Sequence, residues 1–311
     1  MLYVTGITGH SGKWFLNRLV TEKYAGKIRF VMRNTKEIAP EKYAVFENCK
    51  LNIEFAVGDL ADENFMKKSL DGIDTIIHIS GINFSPKLID AAIENKVKRA
   101  IVVHTTGRFS QYKSASDEYI KIEDGILSLR DQGKIDITIL RPTMIYGSSG
   151  DRNMYRLVGY LHKHKFFPMF GDGSNLMQPV HASDLGYAYY DVLMQPETTR
   201  NKDYNLSGKE PIPYIQIIEM ISKYLKRNNI IVRIPMGLSI FAAKIYNVVF
   251  GKRAIISVEQ VMRMKEDKAF DHQAARLDFG YEPIPFAAGI KGEVNEYMQG
   301  VRVDFSNVTY Q

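Results

Sequence analysis

Two hydrophobic patterns alternate along the first half of the chain. Short runs of β-branched and apolar residues predict strands, and stretches whose apolar residues have helical spacing lie between them. The predicted strands are an opening run and residues 28–32, 53–57, 75–79, 99–104 and 135–140; the predicted helices are residues 14–20, 65–70, 86–95 and 118–129. Strands separated by helices favour parallel pairing with right-handed crossovers. The predicted fold is therefore α/β, with a doubly wound parallel sheet.

The pattern changes beyond about Tyr146, where longer irregular segments and helices follow. We expect the sheet domain to span residues 1–146. Residues 147–311 should form mainly a smaller substrate lobe over the carboxyl edge of the sheet, partly interleaved with the first domain. The most apolar stretch, residues 238–250, is interrupted by Lys244 and Asn247. We interpret it as a buried or interfacial helix whose role is open, and we expect no transmembrane segment.

The opening strand runs directly into three glycines spaced three residues apart, and a helical pattern follows them. Backbone amides in such a turn can approach an anion closely, which a Cβ at the contact points would block. The N-terminus of the following helix also favours a phosphate. The turn is therefore predicted to bind a dinucleotide through Gly6, Thr8, Gly9, Ser11 and Gly12.

The end of the second predicted strand indicates which dinucleotide is preferred. Enzymes that prefer NAD usually carry a carboxylate there, which hydrogen-bonds the ribose hydroxyls. This chain has Arg33 and Lys36 in that region and no carboxylate between them. Cations there would pair with a 2′-phosphate, so we predict NADP(H), with NAD(H) as the other candidate. A solvated basic loop is the alternative interpretation.

Composition adds limits on location and partners. The 311 residues are 45% hydrophobic and carry a net charge of +6. The single cysteine, Cys49, cannot form an internal disulfide and fits a reducing compartment. The opening strand leaves no room for a cleavable signal, so a cytoplasmic location is expected. Basic residues are scattered without interleaved aromatics, so we expect an anionic cofactor or small-molecule substrate and no nucleic acid.

The turn from Thr5 to Gly12 resembles the TGxxGxxG turn of the short-chain dehydrogenase/reductase superfamily, in its extended and atypical branches. These branches include epimerase/dehydratase enzymes, NmrA-like sensors and relatives of the complex I 39-kDa subunit. Four further segments resemble the family in register: residues 58–60, 78–81, 139–147 and 170–185. The form Gln178-Pro179-Val180, with residues 266–271 and 277–283, looks more like the atypical branch. The resemblance implies a Rossmann domain.

The resemblance also implies cofactor contacts further along the chain. Asp59 and Leu60 would lie beside the adenine. Ser80 and Gly81 would approach the central ribose, and His78 is expected to be packed rather than catalytic. Pro142 and Met144 would line the nicotinamide face. Family members often pair through the helices that correspond to residues 86–95 and 118–129, so a homodimer is left open.

Extended members of the family use a Ser or Thr, a Tyr and a Lys. The resemblance assigns the hydroxyl to Thr106, with Thr105 as runner-up and cofactor contact, and the tyrosine to Tyr119. Glu123 stands where the lysine is expected. A carboxylate there would raise the pKa of the tyrosine. Lys121 or Arg152 would have to replace the missing cation, and a capping role for the two threonines is the alternative.

Three functions remain open at this stage. The first is an NADP(H)-dependent oxidoreductase acting on an unidentified small carbonyl or hydroxyl substrate. The second, favoured by Glu123, is a non-catalytic NADP(H)-binding redox sensor or assembly factor. The third is a nucleotide-sugar epimerase or dehydratase, which Met177 weakens because the family usually has an arginine there to bind the diphosphate. Asp184 is expected to cap a helix.

Overall fold

The computed structural model describes residues 1–33, 50–151, 153–250 and 258–300. Seven parallel strands form its main sheet, in the order β11-β6-β5-β4-β1-β2-β3. The strands are β1 (Leu2–Thr5), β2 (Ile28–Met32), β3 (Ile53–Val57), β4 (Thr75–His78), β5 (Arg99–Val103), β6 (Asp136–Pro142) and β11 (Asp203–Leu206). The predicted doubly wound α/β fold is confirmed.

Helices cover both faces of this sheet. They are α1 (Gly12–Thr21), α2 (Glu63–Ser69), α3 (Ser85–Glu94), α4 (Lys113–Asp131), α6 (Ala182–Met194), α7 (Pro196–Thr199) and α11 (Gln273–Phe279). Apolar residues of α1, α6 and α11 pack in one cluster with β1 and β2. Those of α2, α3 and α4 pack in a second cluster with β4, β5 and β6. The sheet is therefore buried on both sides, as parallel sheets require.

The remaining elements lie beside the sheet, where they form a third core and a small fourth cluster. They are β7 (Ile145–Tyr146), α5 (Met154–Lys163), β8 (Phe166–Phe170), β9 (Leu176–Met177), β10 (Val180–His181), β12 (Ile212–Pro213), α8 (Tyr214–Tyr224), β13 (Ile230–Ile234), α9 (Met236–Phe250), α10 (Val258–Met262) and α12 (Phe286–Gln299). Helices α5, α8 and α12 supply most of this core. No helix in the described part of the chain has the length and apolar character to cross a bilayer.

Candidate functional site

The glycine turn lies between β1 and α1, at the carboxyl edge of the sheet. Gly6 has a φ of +76°, and a Cβ there would lie 2.9 Å from Ser80 Oγ. A Cβ on Gly12 would lie 2.1 Å from the carbonyl oxygen of Gly6. Thr8 and Gly9 are exposed at the tip of the turn. The turn is thus closely packed at its base and open at its tip, which fits a phosphate-binding role.

Thr5 and His78 hold this turn against the end of β4. Thr5 Oγ1 lies 2.7 Å from His78 Nδ1, and it accepts a hydrogen bond from the amide of Ile79 at 3.2 Å. His78 Nε2 lies 3.0 Å from the carbonyl oxygen of Gly81. Burial lowers the pKa of His78 to about 4. His78 is therefore a neutral packing residue that positions the Ser80–Gly81 turn, as the sequence indicated.

Two of the residues predicted to bind the cofactor have side chains that are buried in the protein. Ser11 is 4% exposed, and its hydroxyl lies 3.1 Å from the hydroxyl of Tyr189. Leu60 is 7% exposed and packs in the same core cluster as Met66. Because both side chains are engaged in the interior, only the backbone of Ser11 and Leu60 remains for a ligand.

The other predicted residues on the adenine side are accessible. Arg33 is exposed and directly follows β2. Asp59 is exposed, and its Oδ1 accepts a hydrogen bond from the amide of Ala61 at 2.9 Å. Lys36 lies outside the described residues. These positions put a cation and a carboxylate at the ends of the neighbouring strands β2 and β3.

A cavity of about 860 Å³, called here the main cleft, opens beyond the ends of β5 and β6. Thr105, Thr106 and Met144 line it, together with residues that the sequence did not single out: His10, Tyr112, Asp151 and Phe270 among others. A larger cavity of about 950 Å³ lies at the opposite edge, where β4, β5 and β6 begin. Ligands of doubly wound folds bind at the carboxyl edge, so the main cleft is the candidate site.

The two threonines have different local roles. Thr105 Oγ1 accepts a hydrogen bond from the amide of Gly107 at 3.0 Å and so caps the short turn that follows β5. The Thr106 hydroxyl donates to the carbonyl oxygen of Pro142 at 3.2 Å. Thr106 thereby links the ends of β5 and β6, and it still lines the main cleft. The buried Pro142 contributes its carbonyl group at this point.

Tyr119 lies beside the threonine turn but does not line the main cleft. A Cβ on Gly107 would lie 3.1 Å from Cε2 of the Tyr119 ring. The tyrosine that lines the cleft is Tyr112, which precedes the first residue of α4. Lys121 is exposed on α4, and Arg152 lies outside the described residues. The predicted helix over residues 118–129 begins earlier, at Lys113.

Glu123 lies at the centre of a buried ion-pair cluster. It is 0% exposed, His104 Nδ1 lies 2.8 Å from its Oε2, and Arg141 Nε donates to its Oε1 at 2.7 Å. Arg108 donates to the same oxygen, and Arg141 also bonds Asp203 at 3.0 Å. Burial alone would raise the pKa of Glu123, but the hydrogen bonds from His104 and Arg141 lower it to about 2. The residue in the lysine's position is thus an anionic anchor between α4, β5 and β6.

A segment after α10, residues 266–268, closes one side of the main cleft. Glu266 accepts hydrogen bonds from the Ser110 hydroxyl at 2.9 Å and from the Gln111 amide at 2.7 Å. Asp267 accepts from the amide of Leu176 at 2.7 Å. Lys268 lines the cleft beside Met177. The sequence analysis noted residues 266–271 for their resemblance to the atypical branch but did not predict that Lys268 lines the site.

The predicted cap of α6 is wrong in one detail. The helix begins at Ala182, and the capping side chain is His181, whose Nδ1 accepts from the amide of Ser183 at 3.2 Å. Asp184 lies inside the first turn and accepts from the amide of Ile284 at 3.2 Å. Burial raises the pKa of Asp184 to about 7. Asp184 is therefore not the N-cap residue; its carboxylate bonds the backbone of His181 at the start of α6 and joins the helix to the segment before α12.

Two family models match the chain. The NmrA-like family matches residues 1–122, and the NAD dependent epimerase/dehydratase family matches residues 87–207. The first covers the glycine turn and the second covers the threonine turn and β6. Together they match residues 1–207, which include all seven strands of the main sheet.

Individual relatives are distant. Short-chain dehydrogenase/reductase family 42E member 1 of Mus musculus is 21% identical over 241 residues, 72% of this chain and 60% of that protein. NADH dehydrogenase (ubiquinone) 1 alpha subcomplex subunit 9, mitochondrial, of Arabidopsis thaliana is 20% identical over 248 residues, 76% of this chain and 60% of that protein. The chain spans about three fifths of the length of these curated relatives.

A solved structure shares the fold along nearly the whole chain. The UDP-glucuronic acid 4-epimerase of Bacillus cereus, in complex with UDP-glucuronic acid and NAD, superposes with a TM-score of 0.72. The match covers 96% of this chain and 99% of that one, at 18% identity.

Proposed function

Since the chain belongs to the extended short-chain dehydrogenase/reductase superfamily, we propose that it is an NADP(H)-dependent oxidoreductase. Its substrate would be a small molecule with a carbonyl or hydroxyl group. A nicotinamide dinucleotide as cofactor is supported by the family and by the NAD-containing epimerase of the same fold. The single cysteine supports a reducing compartment such as the cytoplasm.

One observation carries this proposal: the glycine turn and the threonine turn lie at the same edge of one sheet. The turn follows β1, the threonines follow β5, and only β4 separates these two strands. A Cβ at Gly12 would collide with the Gly6 carbonyl, so the base of the turn excludes side chains, while its tip stays exposed. A dinucleotide bound from Gly9 toward Thr106 would end at the main cleft.

Arg33 supports NADP(H) over NAD(H). It is exposed immediately after β2, at the position where a carboxylate would recognise the ribose hydroxyls of NAD. A guanidinium binds phosphate through several parallel hydrogen bonds. The 2′-phosphate is therefore the group that this position is suited to bind.

The residues around the main cleft favour reduction over epimerisation. When bound, NADPH would supply a hydride. Thr106 would orient the carbonyl oxygen. Tyr119, assigned by resemblance, would donate the proton after its ring turns from Gly107 into the cleft, which it does not line in this structure. Glu123 is held by His104 and Arg141 and offers no cation to lower the pKa of a tyrosine. A protonated phenol still donates a hydrogen bond, whereas base catalysis needs the phenolate.

A screen of carbonyl compounds with NADPH tests this proposal, comparing the wild type with Tyr119→Phe and Tyr112→Phe. We expect turnover with at least one compound and a loss of about 10²-fold in kcat for Tyr119→Phe, because a general acid contributes that much. Tyr112→Phe is the matched control from the cleft wall. If Tyr112→Phe loses the activity and Tyr119→Phe keeps it, the proton donor is Tyr112 and the assignment of Tyr119 is wrong.

A non-catalytic NADP(H)-binding protein is the second candidate. The buried anionic Glu123 favours it, because the residue that activates the family's tyrosine is replaced by a structural anchor. Dinucleotide binding without turnover across the whole screen would support this candidate over the oxidoreductase.

A further inference from the structure

A second cavity adjoins the main cleft. It has a volume of about 510 Å³ and shares four lining residues with the cleft: Met144, Asn153, Met177 and Lys268. We call this second cavity the apolar chamber. The shared residues form the boundary between the two spaces, so one ligand can extend from the threonine turn into the chamber.

The chamber is lined mainly by apolar and aromatic side chains. They come from α5, β8 and α8, and they include Leu157, Phe167, Met169 and Tyr214. Among the described residues of its lining, Lys268 alone is charged. Such a surface favours an apolar group of a ligand and disfavours a sugar, whose hydroxyls would lose hydrogen bonds with water.

The backbone fixes Lys268 at the mouth of the chamber. Its amide donates to the carbonyl oxygen of Leu176 at 2.7 Å, and it forms a β-bridge with Met177. Asp267, one residue earlier, accepts a hydrogen bond from the amide of Leu176. These contacts fix the backbone of Lys268 as pairing fixes a residue in a short β-strand.

The Lys268 ammonium forms no ion pair within the described residues. Burial, and then the charge of Arg263, lower the pKa of Lys268, and the carboxylate of Glu266 raises it by less. A cation held in a partly buried place is destabilised unless an anion accompanies it. A ligand carboxylate would satisfy this cation.

We propose that the substrate is an apolar carboxylic acid whose carboxylate binds Lys268 and whose hydrocarbon body occupies the apolar chamber. This inference rests on the proposed function, because it names the substrate class of the same cleft. The carbonyl that reacts would lie on the side of the boundary that faces Thr106. Met177, which replaces the diphosphate-binding arginine of nucleotide-sugar enzymes, then forms part of an apolar wall.

Calorimetric titration of the full chain with decanoate and decan-1-ol tests the proposal at neutral pH. We expect decanoate to bind, and Lys268→Met to weaken it at least about tenfold, since a charge-assisted hydrogen bond is lost. Decan-1-ol should bind equally to both proteins. Lys265→Met is the matched control, because Lys265 lines the main cleft but not the chamber. Leu157→Trp, which fills the chamber, should weaken both ligands.

The variants are checked for folding by thermal unfolding, and Lys268→Arg should retain decanoate binding because it keeps the charge. Failure of decanoate to bind, or equal binding to the wild type and Lys268→Met, would overturn the proposal. The same samples are titrated with NADPH. Loss of NADPH binding alone refutes the proposed function, whereas unchanged NADPH binding without decanoate binding refutes only this substrate class.

Discussion

Glu123, which the resemblance places where the family carries its lysine, is a structural anchor in this chain. Its carboxylate contacts His104, Arg108 and Arg141, so it neutralises cations that the ends of β5 and β6 bring together. A lysine at the same place would add a cation to this group.

We predict that Glu123→Gln lowers the free energy of unfolding by about 3 kcal/mol, because it removes the buried anion of the cluster and leaves Arg141 and Arg108 with their partly exposed partners Asp203 and Asp124. Asp124→Asn is the matched control one residue away. Asp124 is 57% exposed, and its one ion pair within the described part of the chain is with Arg108, so its loss should cost less than about 1 kcal/mol. Urea unfolding of both variants measures the difference, and equal costs would contradict the anchoring role.

The pH dependence of the same variant follows from the depressed pKa of Glu123. A carboxylate with a folded-state pKa of about 2 and an ordinary value of 4.5 contributes its stability above the ordinary value. That contribution is lost as the pH falls from 4.5 toward 2. The difference in free energy of unfolding between the wild type and Glu123→Gln should therefore become smaller as the pH is lowered from about 5 to about 3. Urea unfolding at each pH measures it.

Among the structural elements, the glycine turn has different glycines for ligand binding and for its own packing. A Cβ on Gly9 would lie 3.0 Å from the Gly6 carbonyl oxygen, a contact that small shifts relieve, and Gly9 is exposed. A Cβ on Gly12 would lie 2.1 Å from that oxygen and 2.7 Å from the Ile7 carbonyl oxygen. The turn therefore has one glycine open to a ligand and one required by its own packing.

We predict that Gly9→Val abolishes dinucleotide binding while the protein still unfolds cooperatively, since the branched side chain occupies the place of the pyrophosphate. Gly12→Val should lower stability by about 2 kcal/mol or more because backbone atoms must move. Thermal unfolding and NADPH titration of both variants test this. A folded Gly9→Val protein with unchanged NADPH affinity would refute the role of the turn.

Local patterns predicted the elements well. Strands β2 and β3 have the predicted limits, and the predicted strand over residues 75–79 ends one residue earlier, at His78. Strands β2 and β4 are mostly buried, so their apolar runs are readable from sequence, whereas the edge strand β3 is only half-buried. The helix predicted from residue 118 begins earlier, at Lys113. The prediction missed its first turn because that turn lacks an apolar face.

At the scale of the molecule, the site depends on contacts between distant parts of the chain. Lys268 reaches the cleft because its backbone pairs with Leu176 and Met177, some ninety residues earlier. Sequence patterns carry no information on such pairings. The directions of Ser11 and Leu60 were missed for the same reason, since Tyr189 and the core around Met66 determine them.

In the proposed function the exposed glycine turn and Arg33 bind NADP(H), and titration of the full chain with NADPH and NADH is the decisive measurement. We predict that NADPH binds about tenfold more tightly, which corresponds to about 1.4 kcal/mol. Arg33→Ala should remove that preference. Lys134→Ala, which removes an exposed cation at the opposite edge of the sheet, should not. Binding of neither dinucleotide, or tighter binding of NADH that Arg33→Ala leaves unchanged, would contradict the account.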